Sequence, residues 1–126
     1  MFTMMRLAAG GKVVRVVNDQ YGAPTSSGMI AVAVPQAIAQ MKGALDSGVY
    51  HMTAAGSTTW YGFARAILKS SQAEVQAIST TEYGTRIRRP RNSVLDNSKL
   101  NRDFGIQLPS WQDGLQQLMR KLRRPR

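Results

Sequence analysis

The chain has no cysteine and a single histidine, His51. The first absence removes disulfides, thiolate nucleophiles and thiolate metal sites in one step, and it fits a reducing compartment. The second excludes every two-histidine zinc pattern. Acidic residues are scarce too. The seven Asp and Glu are scattered singly, and no pair is spaced for glycosidase or metal chemistry. No Gly-x-Gly-x-x-Gly follows a strand, and there is no Walker-type phosphate loop. No apolar run approaches the roughly 18 residues that a membrane span needs. The opening Met1-Phe2-Thr3-Met4-Met5-Arg6-Leu7-Ala8-Ala9 is too short for a signal peptide and has no basic leader. A cytoplasmic chain with no membrane partner is therefore expected.

Positive charge is what the chain has in excess. Its 17 Lys and Arg leave a formal net charge of +10 over 126 residues, which attracts polyanions of any kind. Nine of these residues fall in two clusters: Arg86, Arg88, Arg89 and Arg91, then Arg120, Lys121, Arg123, Arg124 and Arg126. Arginines this close repel one another unless they are solvated or face an anion, and the guanidinium fork matches phosphate oxygens. A solvated basic loop and an anion site both remain open. A non-enzymatic anion or nucleic-acid binding module is thus one functional alternative. The arginines are not interleaved with the aromatic residues that single-strand binders use for stacking, which counts against nucleic acid.

The length suits one domain with one modest core, and residues 1–126 read as a single partial domain with a frayed basic tail at 120–126. Residues 2–9 look like the end of a helix, stopped by Gly10-Gly11. The β-branched run Val13–Val17 predicts a strand. Thr25, Ser26 or Ser27 caps a helix carrying Ile30, Val34, Ile38, Met41 and Leu45, with a kink or restart expected at Pro35. Val49–Met52 reads as a short strand. Ser57-Thr58-Thr59 caps a helix whose apolar face is Trp60, Phe63, Ala64, Ile67 and Leu68. Val75–Ile78 is a third strand, and residues 82–105 are expected to be mostly irregular. Ser110 and Asp113 open a last helix with Trp111, Leu115, Leu118, Met119 and Leu122 on its buried side. Strands alternating with helices, about three short strands and four helices, imply an α/β arrangement.

Chemistry is sparse. His51 has no carboxylate or nucleophile near it in sequence and reads as an oriented structural histidine. Two segments are distinctive. Val17-Asn18-Asp19-Gln20-Tyr21-Gly22-Ala23-Pro24-Thr25 is either a well-shaped turn after a strand or a strand end presenting Asn18, Gln20 and Thr25 to a polar ligand. Arg86-Ile87-Arg88-Arg89-Pro90-Arg91-Asn92-Ser93-Val94-Leu95-Asp96 is the basic loop already noted. No catalytic set can be assembled from the chain.

Taken in order, these segments carry a resemblance. Val16–Ser26, Ile30-Ala31, Gly48–Met52, Thr59–Ala64, Arg89–Asp96 and Leu108-Pro109-Ser110-Trp111 are together similar to the C-terminal, substrate-binding portion of dTDP-4-dehydrorhamnose reductases, members of the extended short-chain dehydrogenase/reductases. Phe2–Ala8 resembles the helix just before that portion. The resemblance implies a family that reduces the C4 ketone of dTDP-4-dehydro-L-rhamnose with NADPH (or NADH), in dTDP-L-rhamnose and polysaccharide biosynthesis. It implies an upstream Rossmann half for the cofactor and a Tyr-x-x-x-Lys pair for the proton. Neither is in this sequence: Tyr21, Tyr50, Tyr61 and Tyr83 each lack a lysine four positions on. The expectation is a substrate-binding region with no catalytic, cofactor or metal residues of its own, inactive alone. Its partners would be a dTDP-sugar and a separate Rossmann half or a second copy. By resemblance, Gln20 and Thr25 are candidate cleft residues, and Arg89 and Asn92 candidate substrate contacts.

Overall fold

A computed structural model describes residues 1–126 except Lys12, residues 44–47, Thr85 and residues 124–126. The fold is mixed α/β, as expected. The described residues hold six helices and four short strands: α1 (Phe2–Ala9), β1 (Val14–Val17), β2 (Tyr21–Gly22), α2 (Ser27–Gln40), β3 (Thr58–Thr59), α3 (Trp60–Ile67), β4 (Val75–Ile78), α4 (Thr80–Tyr83), α5 (Ser98–Phe104) and α6 (Trp111–Arg123). They form two compact units, one of Met1–Gly22 with Ser57–Val94, the other of Ala23–Gly56 with Leu95–Arg126.

The first unit is built on the parallel pair β1–β4, in the register Val14↔Val75 through Val17↔Ile78. Parallel strands need a long crossover, and α3 is the helix that packs on both. Thr59 caps α3, its Oγ1 accepting from the Gly62 amide at 3.0 Å. Val14, Val16, Val17, Ala64, Ile67, Leu68 and Ile78 are the buried apolar residues of this unit. Burial on alternate and adjacent positions of β1 leaves Arg15 outside, 3.9 Å from Glu82 at the surface. Trp60, placed on the apolar face by its spacing, is half exposed.

In the second unit, Ser26 caps α2 through the Met29 amide. The helix runs on through Pro35 as one element, so the restart expected there does not occur. Proline removes one donor, yet its missing N–H leaves the rest of the ladder in place. The helix ends at Gln40, and Leu45 lies outside the described residues. Leu100, Phe104, Ile106, Leu108, Trp111, Met29, Ala33 and Ala54 form the buried core here. Ser110 caps α6, its Oγ accepting from the Asp113 amide at 3.1 Å and donating to the Asp113 carboxylate at 2.6 Å. Trp111 is buried, whereas Leu122, expected on the inner side, is exposed because it lies in the helix's last turn. The helix extends past the expected start of the frayed tail to Arg123; Arg124 and Arg126 lie outside the described residues.

Residues 49–52 do not form the expected strand. Their neighbour Thr53 is paired by a side chain instead of a strand. The Asn97 amide accepts from Thr53 N at 3.2 Å and donates to Thr53 O at 2.7 Å, so one side chain does what a β-partner would do. Tyr50 donates to Asp103 at 3.1 Å and sits edge-on to Phe104, with the Lys99 ammonium over its ring. His51 Nδ1 is 3.1 Å from the Asp96 carbonyl, the oriented role expected of it. The stretch expected to be irregular, 82–105, contains α5 and the end of α4.

Candidate functional site

The two distinctive segments of the sequence meet in the first unit. Strand β2 pairs antiparallel with β3, Tyr21↔Thr59 and Gly22↔Thr58. On its other side Tyr21 forms a parallel bridge with Asn92. Tyr21 N donates to Arg91 O at 2.8 Å, while Ser93 N and Ser93 Oγ donate to Tyr21 O at 3.0 and 2.9 Å. The basic loop is thereby pinned along the Asn18–Gly22 turn. Gly22 permits this approach, because a Cβ built there would stand 3.0 Å from Ser93 Oγ.

The turn itself is held by three consecutive side chains. Asn18 Oδ1 accepts from the Thr59 hydroxyl at 2.8 Å. Asp19 Oδ1 accepts from both the amide and the hydroxyl of Thr80, at 3.0 and 2.6 Å. Gln20 Nε2 donates to the same hydroxyl at 3.0 Å. The Asp19 carboxyl is held below the ordinary aspartate range. The Thr80 hydroxyl bond is the main cause, partial burial opposes it, and the Thr80 amide and the Arg91 charge assist it.

Gln20 is buried, at 7% exposure, and it lines a cavity of about 320 Å3 with Arg89. The rest of the lining is largely apolar: Met4, Leu7, Val14, Val16, Val17 and Trp60 among others. Asn92 lines a second cavity of about 380 Å3 with Asn18, Asp19, Tyr21, Ser57 and Arg91. Its Oδ1 accepts from the Val94 amide at 2.9 Å, leaving its NH2 group for other contacts. Thr25 is not among the residues lining either cavity. It belongs to the second unit, where its hydroxyl donates to Ala23 O and accepts from Ala54 N, both at 2.9 Å. Three of the four candidates thus gather around one turn and its adjoining loop, and Thr25 braces backbone.

Thr59 and Thr80 fix this turn; the sequence marks Thr59 as a helix cap but not as the partner of Asn18, and it does not mark Thr80. Thr80 follows Ser79, and Ser79 with Glu82 forms a capping box: Glu82 N donates to Ser79 Oγ at 3.1 Å and Ser79 N to Glu82 Oε2 at 2.8 Å. That Ser-x-x-Glu spacing was the legible signal. Arg86, Arg88 and Arg89 are exposed and form no ion pair with described residues. No group of three His, Cys, Asp or Glu able to hold a metal occurs among the described residues, and no helix there is long and apolar enough to cross a membrane. The arrangement places the Gln20 amide and the Arg89 guanidinium on a cavity whose wall is otherwise largely apolar.

Comparison with known proteins identifies the family. The model of the RmlD substrate binding domain matches residues 1–124. A dTDP-4-dehydrorhamnose reductase of Burkholderia thailandensis is 44% identical over 124 residues, which cover 86% of this chain and 42% of that protein. Two crystal structures are similar. The dTDP-4-dehydrorhamnose reductase from Bacillus anthracis in complex with NADP has a TM-score of 0.86 at 30% identity, covering 95% of this chain and 42% of the other. That of a reductase ortholog from Clostridium acetobutylicum has a TM-score of 0.87 at 29% identity, covering 98% and 43%. The chain therefore spans less than half the length of the relatives it matches.

Proposed function

The chain belongs to the RmlD substrate binding domain family, and from that membership we propose that it is the sugar-nucleotide-binding part of a dTDP-4-dehydrorhamnose reductase, without turnover by itself. The observation that carries this reading is the meeting of Gln20 and Arg89 on one cavity, beside the pinned turn that bears Asn18 and Asp19. An amide, a guanidinium and an apolar wall are the groups that a nucleoside-diphosphate sugar calls for: directional bonds to hydroxyls, charge for the diphosphate, and surface for the rings. Asn92 and Arg91, on the neighbouring cavity, extend the polar surface along the same loop.

Reduction needs a hydride donor and a proton donor held at the ketone. Cofactor chemistry would be supplied by NADPH or NADH on a Rossmann region, and this sequence has no glycine-rich dinucleotide fingerprint and no Tyr-x-x-x-Lys pair to hold it. Without those groups the chain forfeits both positioning and chemistry. What it contributes is substrate orientation, and a cofactor-binding partner would complete the site. The exposed Phe2 and Ile87 of the first unit, outside the cavity lining, supply apolar surface for such a partner.

The test mixes the purified chain with the cofactor-binding portion of a related reductase and follows NADPH oxidation with dTDP-4-dehydro-L-rhamnose. The expected result is no oxidation by either part alone and measurable oxidation by the pair. Ketone reduction by the chain alone would overturn the proposal, and so would an inert mixture of folded parts.

A further inference from the structure

We propose that Thr80 is a positioning residue that locks the Gln20 side-chain amide, so that Gln20 Oε1 is presented to the cavity as a fixed acceptor for a hydroxyl or N–H donor of an anionic ligand. This rests on the reading of the cavity as the sugar-nucleotide site. The argument needs only donor and acceptor counting. A carboxylate accepts and does not donate, so the 2.6 Å contact between Thr80 Oγ1 and Asp19 Oδ1 consumes the single hydroxyl proton of Thr80. Thr80 can then only accept from Gln20, and the Gln20 atom 3.0 Å away must be the nitrogen. The amide is thereby prevented from flipping, and the end left over is Oε1.

Oε1 has no hydrogen-bond partner among the described residues, and none of their fully buried polar side-chain atoms lacks one. Gln20 is a buried residue that lines the cavity shared with Arg89, and Oε1 is the polar end of its side chain left to serve a ligand there. A fixed acceptor next to a guanidinium selects ligands that carry a donor close to negative charge. It disfavours ligands that offer only acceptors, since a locked amide cannot rotate its NH2 group toward them.

Two readouts separate the lock from the ligand. The first needs no ligand: in the 15N spectrum of the full chain, one Gln20 side-chain proton should be shifted and exchange slowly. Thr80→Val should abolish this signature and Thr80→Ser should keep it. A Gln20 amide that behaves like a free one in the wild type overturns the lock. The second compares binding of dTDP-L-rhamnose with binding of inorganic diphosphate. Thr80→Val should weaken the sugar nucleotide about five- to tenfold and leave diphosphate unchanged, with Thr80→Ser restoring the preference. Equal losses for both probes would overturn the positioning role. If Thr80→Val does not fold, Thr80→Ala carries the same comparison, with the same expected loss of preference. A wild-type chain that binds neither probe but shows the locked amide removes the sugar-nucleotide reading, and with it the ligand half of the proposal, while the lock stands.

Discussion

Replacing Asn97 by alanine is the sharpest test of how the second unit is held. Asn97 is half-buried and makes four contacts to one residue, accepting from Thr53 N and Thr53 Oγ1 at 3.2 Å each and lying 2.7 and 3.1 Å from Thr53 O and Oγ1 through its NH2 group. The two bonds to Thr53 backbone matter most, because no strand lies ready to replace them. Each is worth about 1 kcal/mol net, and a partly solvated site lets water recover some of the loss. Asn97→Ala should therefore cost about 2 kcal/mol, or roughly 6–10 °C in Tm for a chain of this size. The fluorescence of buried Trp111 follows unfolding of this unit, since the Ala55 backbone two residues beyond Thr53 bonds to Trp111 N and Pro109 O. Amide exchange at Thr53 should accelerate more than exchange in β1 or β4. Asn97→Asp, which keeps the acceptor but sets a carboxylate against Thr53 O, should be at least as harmful. A loss below about 0.5 kcal/mol with unchanged Thr53 exchange would refute the idea that a side chain stands in for a strand.

Other consequences can be checked in the same way. Leu100, at 1% exposure, should cost about 3 kcal/mol as Leu100→Ala in urea unfolding, with a value under 1 kcal/mol contradicting its place in the core. Asp19, Glu82, Asp96 and Asp103 all have folded-state pKa values below their ordinary ones, the first through Thr80, the second through Ser79, the third through Ser98 and the last through Arg102. Their contribution is complete above the ordinary carboxylate range, about pH 4, and is lost as pH falls through the lowered values. The urea midpoint should hold from pH 7 to 5 and drop below pH 4, less steeply in Asp19→Asn; a midpoint that rises on acidification would be incompatible. Gly22→Ala should cost about 1 kcal/mol in the wild type and less in a Ser93→Ala background, because the clash is with Ser93 Oγ. Equal costs in both backgrounds would show that the close approach is not the reason.

The sequence made some of this legible and hid the rest for identifiable reasons. β4 was readable to the residue, and β1 to within one, because a β-branched or alternating run is local information. The caps at Thr59 and Ser110 were readable because a cap and its target lie three residues apart. Val49–Met52 looked like a strand by composition, yet its stretch is tied by Asn97, 44 residues on from Thr53, and no local pattern announces that partner. In the site, Gln20 and Arg89 came from resemblance, and the cavity brings them together. Thr80 stayed hidden because its role depends on a contact across 60 residues. Thr25 belongs to the same motif, but its hydroxyl is committed to the backbone of its own unit. A motif read along the chain does not say which of its polar groups remain free after folding.

A titration of the 15N-labelled chain with dTDP-L-rhamnose bears most directly on the central claim. Shifts should concentrate at Gln20, Arg89 and the Asn18–Tyr21 turn, and should fade in Arg89→Gln. Shifts centred instead on the second unit's own cavity, which Met29, Gln36 and Gln117 line, or none at saturating ligand, would contradict the account.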